Sequence, residues 1–127
     1  MAALLEDDAA ALKSVGAGGR RVTSALTIAE SARAILRART GGRLTVEQER
    51  AIVRALRRFE LRVSVVAITD AVLARVRRPF PIEPVRTLDA VHLATAELLG
   101  EPPQLVTIVT RDTRVGDNAR ALGYAVE

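Results

Sequence analysis

The chain predicts an α/β domain, three layers deep, with a parallel sheet flanked by helices. Three observations carry this. Segments of helical period alternate with short β-branched runs along the whole chain, and strands separated by helices pair in parallel and are covered on both faces. Hydrophobic residues make up 49% and charged residues 27% of the sequence, the balance of a packed domain rather than a disordered one. A length of 127 residues fits one core, with no linker and no internal repeat to divide it.

Residues 2–15 read as an amphipathic helix, with Leu5, Ala9 and Leu12 on one face, closed by Gly16-Ala17-Gly18-Gly19. A short strand at 21–23 leads into a helix over 24–39, with Ser24 as N-cap and Ile28, Ala32, Ile35 and Leu36 as its buried stripe. After Gly41-Gly42, a helix over 45–59 buries Ile52, Val53, Leu56 and Phe59 and turns Arg50, Arg54, Arg57 and Arg58 outward. Residues 61–68, with Val63, Val65, Val66 and Ile68, predict a buried strand. Thr69 or Asp70 caps a short helix to Arg78, and Pro79, Pro81 and Pro84 make an extended connector. Thr87 is expected to cap a helix ending near Leu99. Residues 105–110 are the strongest strand signal, followed by a loop and helix over 111–122, Gly123 and a last short strand at 124–126.

Composition excludes several functions. Without cysteine and with a single histidine, the chain has no disulfide frame, thiolate metal site, cysteine nucleophile or two-histidine metal motif. No apolar run approaches the ~20 residues that span a bilayer. Acids arrive at Glu6-Asp7-Asp8, too early for a basic leader, so a cytoplasmic protein without membrane contact is expected. Net charge is +4, and Lys13 is the only lysine among nineteen basic residues. The other eighteen are arginines, whose planar forks suit phosphate oxygens and make RNA a plausible partner. A genome's base composition produces arginine-rich surfaces as well. Phe59, Phe80 and Tyr124 are too few for a base-stacking platform.

In parallel sheets, ligands gather beyond the carboxyl ends of the strands, and that rule singles out three acids. Asp112 follows directly after the strand over 105–110. Asp89 lies in the first turn of its helix, where the dipole favours negative charge. Glu30 sits among Ala29, Ser31 and Ala32 and is expected to face the interior. Carboxylates packed together repel, and a hard cation such as Mg2+ resolves the repulsion. Each also has a plainer reading: Glu30 as a surface residue, Asp89 as a capping acid, Asp112 as a turn former.

The segment Arg86-Thr-Leu-Asp-Ala-Val-His-Leu-Ala-Thr-Ala96, with Leu105-Val-Thr-Ile-Val-Thr-Arg-Asp112 and Ala119-Arg-Ala-Leu-Gly123, resembles the PIN domain, in particular its VapC-type toxin ribonucleases. Thr23-Ser-Ala-Leu-Thr-Ile-Ala-Glu-Ser-Ala-Arg33 resembles that family's second motif, and the likeness covers residues 2 to 127 as one PIN-like domain. The resemblance implies an endoribonuclease of a type II toxin–antitoxin system, dependent on Mg2+ or Mn2+. Glu30, Asp89 and Asp112 match three of the family's four core acids, and Asp117 matches a more variable acidic position. Arg86, Arg111 and Arg114, near these acids in sequence, are the expected phosphate contacts. The partners implied are RNA, an antitoxin protein and a second copy in a homodimer, the last two over the apolar faces of helices 24–39 and 45–59.

Against the family pattern, the chain is expected to begin inside the first helix, without the first strand and the aspartate ending it, through a start placed too far downstream. Weak cleavage is expected on that ground, and the competing class is an impaired PIN-like module that binds RNA or a partner without cutting. His92 shares a helix face with Asp89 and reads as a packed, hydrogen-bonded residue rather than a base. Ser24 and Thr27 are candidates to orient a water on the ion, although capping accounts for Ser24. A receiver-like phosphoacceptor needs Asp7-Asp8 at a strand end and a well-placed lysine, and neither is evident.

Overall fold

A computed structural model describes residues 21–127, so the expected first helix and the glycines closing it lie outside the described residues. Strand β1 (Val22–Ser24) enters α1 (Ala25–Thr40), whose N-cap Ser24 accepts from the Leu26 amide at 3.1 Å. The helix stops at Gly41, and Gly42 follows with φ 73°, a conformation that glycine adopts without a Cβ clash. Helix α2 (Val46–Arg62) opens with a capping box in which the Thr45 and Gln48 side chains accept from each other's backbone amides. It leads into β2 (Ser64–Val66), which runs parallel to β1 with Val22, Thr23 and Ser24 opposite Ser64, Val65 and Val66.

Helix α3 (Asp70–Val76), capped by Thr69, precedes the proline-rich connector and α4 (Thr87–Glu97). A single 3-10 turn (Pro103–Leu105) then leads to β3 (Thr107–Ile108), α5 (Thr113–Ala121) and β4 (Ala125–Val126). Strands β3 and β4 are parallel, with Thr107 opposite Ala125 and Ile108 opposite Val126. Both pairs are therefore joined by helical crossovers, which parallel pairing requires. Helix α4 forms the centre of the core. Seven consecutive residues, Ala90 to Ala96, are buried, and Val72 of α3, Phe80 of the connector, Ile108 of β3, Val115 and Ala119 of α5 and Tyr124 pack around it. Among the described residues, no helix is long and apolar enough to cross a membrane.

The expected α/β fold, parallel strands flanked by helices, is the one observed, with the strands in two two-stranded pairs among the described residues. Finer expectations are corrected. The strand expected over 61–68 shrinks to three residues because α2 runs on through Leu61 and Arg62, leaving Leu61 88% exposed. Neither Leu61 nor Arg62 is β-branched, so helical hydrogen bonding claims both before the β-branched run begins. The strand expected over 105–110 is confined to Thr107–Ile108. Pro102 and Pro103 set a 3-10 turn through Leu105, and β4 offers only two residues to pair with. Of the stripe expected on α1, Ile28 and Ile35 are half-buried, whereas Ala32 and Leu36 are exposed. On α2 only Phe59 is fully buried, Val53 and Leu56 are half-buried, and Ile52 is exposed. Thr87 is the first helical residue of α4; Arg86 occupies the cap and makes no side-chain capping bond.

Candidate active site

Strand β3 ends two residues before Thr110, and the turn through Arg111 sets Asp112 as the N-cap of α5. One carboxylate oxygen, Oδ1, accepts from the Val115 amide at 2.9 Å. The Asp112 amide in turn donates to the Thr110 hydroxyl at 3.1 Å. Asp112 is thus aimed by its own helix start. Asp89, half-buried in the first turn of α4, faces Asp112 across one cleft. The cleft has a volume of about 450 Å³ and is lined by Pro84, Val85, Arg86, Asp89, Asp112 and Arg114. It brings two carboxylates and two guanidinium groups into one concavity.

Electrostatics tie a third acid to this pair. Burial holds the Asp89 carboxyl above its usual range, and the negative charge of Asp112 pushes it the same way, with a smaller push from Glu30. His92 and Arg86 act in the opposite direction without cancelling the effect. Burial is the larger cause, and the neighbouring acids add to it.

Glu30 does not line the cleft. It is half-buried on α1, and its Oε1 lies 2.8 Å from Nε2 of His92. His92 is 4% exposed, and burial pushes its pKa below the usual 6.5 against the pull of Glu30 and Asp89. The neutral ring donates from Nε2 to the carboxylate, which leaves Nδ1 as a bare lone pair without a hydrogen-bond partner among the described residues. His92 is thus the packed, hydrogen-bonded residue expected, and its partner is the third acid.

The remaining candidates divide. Arg86 and Arg114 line the cleft, and Arg114 Nη1 also donates to the Pro84 carbonyl. Arg111 is exposed in the turn before Asp112 and does not line the cleft. Asp117 is exposed on α5, 3.4 Å from the Arg120 guanidinium, and is likewise absent from the lining. Ser24 and Thr27 are fully buried; the Ser24 hydroxyl caps α1, and Thr27 accepts from Thr23 at 2.8 Å. Not expected from the sequence are Pro84 and Val85 in the lining and the buried Asn118 that holds the connector just before them. The available signal was an amide side chain on the apolar face of α5, between Val115 and Ala119, where an unpaired polar group is costly.

Whether these residues suit a metal depends on donor chemistry. Asp89 and Asp112 present hard oxygen donors to one cleft, and the raised proton affinity of Asp89 marks charge that a cation would relieve. Mg2+ is held by one or two carboxylates with several waters retained, and this pair fits that pattern. Among the described residues, no group of three or more His, Cys, Asp or Glu side chains is close enough to hold an ion between them. Glu30 stands outside the lining of the cleft, bonded to His92.

Parallel strand pairs with helical crossovers, a buried central helix and acids meeting past a strand end describe a PIN domain. The chain belongs to that family, whose model matches residues 1–121. It is similar to Ribonuclease VapC35 of Mycobacterium tuberculosis, with 37% identity over 107 residues covering 84% of this chain and 71% of that protein. It is also similar to Ribonuclease VapC46 of the same species, with 40% identity over 110 residues covering 84% of this chain and 72% of that protein.

Proposed function

We propose that this chain is a VapC-type endoribonuclease, the toxin of a toxin–antitoxin pair, that hydrolyses RNA phosphodiesters at the Asp89–Asp112 cleft. The observation supporting this is the pairing of two carboxylates with Arg86 and Arg114 on the walls of one concavity, in a chain whose relatives are named ribonucleases. Asp89 and Asp112 would hold Mg2+ or Mn2+, with Glu30 behind them, and Asp117 and Arg111 lie outside this set. A bound divalent ion supplies Lewis acidity and a water that ionises near neutral pH. Arg86 and Arg114 bind the phosphate oxygens by charge-assisted hydrogen bonds and orient the scissile bond. His92 fixes the orientation of Glu30 through its Nε2–H.

The test is cleavage of a labelled single-stranded RNA with Mg2+, with EDTA, and by Asp89→Asn. Metal-dependent cleavage by the parent and its loss in the variant are expected; cleavage at the parent's rate by Asp89→Asn overturns the role of that residue. A second reading, a PIN module that binds RNA or a partner without cutting, draws on the lack of a three-ligand group among the described residues. RNA binding with no cleavage under any divalent ion supports it.

An antitoxin partner and a homodimer belong to the same proposal. Leu36 on α1 and Val46 and Ile52 on α2 expose apolar surface of the kind that partners cover. A monomer by light scattering, with no antitoxin retained on co-expression, counts against both.

A further inference from the structure

Asn118 is completely buried in α5, yet its side chain packs into the core without serving it. Its Oδ1 accepts from the Ile82 amide at 2.8 Å, and its Nδ2 donates to the Ile82 carbonyl at 3.0 Å. The second Nδ2 proton reaches the Arg114 carbonyl, also at 3.0 Å. The amide thus makes three bonds, all to main chain, and grips a residue 36 positions away whose own side chain is 46% exposed. What is held is the path of the connector.

The same stretch is also braced from within. The Glu83 carboxylate accepts from the Phe80 amide through Oε2 and from the Val85 amide through Oε1, both at 2.7 Å. Phe80 is anchored in the core, with the Arg75 guanidinium 3.9 Å from its ring centroid. Two residues beyond Ile82, the connector becomes the cleft wall, Pro84, Val85 and Arg86. The helix that carries Asn118 also carries Arg114 and, at its cap, Asp112.

We infer that Asn118 is a positioning residue for RNA. By clamping the Ile82 backbone to α5, it fixes the wall carrying Arg86 at a set distance from the wall carrying Arg114 and Asp112. This rests on RNA being the cleft's ligand. Two guanidinium groups grip successive phosphate oxygens only if their separation is held, and a wall free to drift loses the benefit of having them in place. A buried amide is suited to this task because it satisfies the backbone N–H and C=O of one residue at once.

The test uses the full chain, a fluorescein-labelled single-stranded RNA of mixed sequence, and the variants Asn118→Ser and Glu83→Ala, each of which loosens the connector. Binding is followed by anisotropy in EDTA, cleavage with Mg2+, and folding by circular dichroism. Each variant should weaken RNA binding about tenfold, the loss expected for one charge-assisted contact. With Mg2+, KM should rise by a similar factor while kcat stays within about threefold. A purely structural role would lower the melting temperature and leave RNA affinity and KM unchanged. Binding within about twofold of the parent by a folded Asn118→Ser overturns the inference, and if that variant does not fold, the same result for Glu83→Ala overturns it. A parent that binds RNA without cutting it removes the nuclease reading but leaves the clamp to be judged by binding. A parent that binds no RNA removes both.

Discussion

Helix α2 buries one residue of its seventeen, Phe59, and turns Arg50, Arg54, Arg57 and Arg58 to solvent, whereas α4 buries seven in succession from Ala90 to Ala96. On α2, water satisfies whatever polar group the sequence places there, so those side chains record little beyond solubility. On α4 each polar group must find a specific partner. Thr95 donates to the Val91 carbonyl at 2.7 Å, His92 donates to Glu30, and Asp89 opens onto the cleft. Polar residues therefore carry most information where burial leaves them fewest alternatives. This is why α4, with Asp89 and a buried imidazole, borders the candidate site while α2, with four exposed arginines, does not.

The sharpest way to break this contrast is Asp89→Asn. Cleavage of RNA should fall by at least about a hundredfold, and thermal stability should hold or rise. The sign follows from the raised pKa: folding favours the protonated acid, so its ionised form costs stability as pH climbs above the unfolded value of 3.8 toward the folded one. A gel assay paired with a melting curve at neutral pH checks both; a variant that keeps its activity, or loses stability, refutes the account.

Next in size is packing. Leu93→Ala, at a position 1% exposed, should cost about 2–5 kcal/mol in urea unfolding. Leu61→Ala on α2, at 88% exposure, should stay within about 0.5 kcal/mol. Equal losses at the two sites would mean that α4 is not the centre of the fold. A smaller effect belongs to His92. Its lowered pKa means that the unfolded chain takes up a proton first, so its contribution is complete above about pH 6.5 and is lost as pH falls through the folded value. Urea midpoints should decline between pH 7.5 and 5 in the parent and flatten in His92→Gln; an unchanged slope in that variant assigns the effect to another group. Smallest of all, Arg54→Ala should shift stability by less than about 0.5 kcal/mol, and a larger change by the same measurement would show that the exposed face of α2 is not merely solvated.

The helices were the more legible part of this sequence because their ends carry local chemistry. Ser24 and Thr69 cap as their positions suggested. Strand lengths were not, since a strand extends only as far as its partner does, and β4 offers β3 two residues. The run at 61–68 looks like a longer strand than it forms, because α2 extends through Arg62 and only Ser64–Val66 pair with β1. Within the site, Asp89 and Asp112 were found by position at an element's end, and the structure sets both on one cleft. Glu30 was singled out too, but its attachment to His92 across 62 residues could not be read locally. Asn118 was missed because its partners are the backbone N–H and C=O of Ile82, and backbone atoms leave no signature in residue identity.

Asp112 occupies a position under two independent demands. Its Oδ1 closes the start of α5 by accepting from Val115, while the carboxylate also borders the cleft. An asparagine there keeps an acceptor for the helix and gives up the charge, whereas an alanine gives up both, with about 1 kcal/mol lost from the cap alone. Inactivating changes at this position should therefore come in two grades, one silent to the folding machinery of the cell and one that also lowers the amount of protein present. On the proposed nuclease reading, a lineage escaping that activity through Asp112 would leave different traces in abundance depending on which substitution it took.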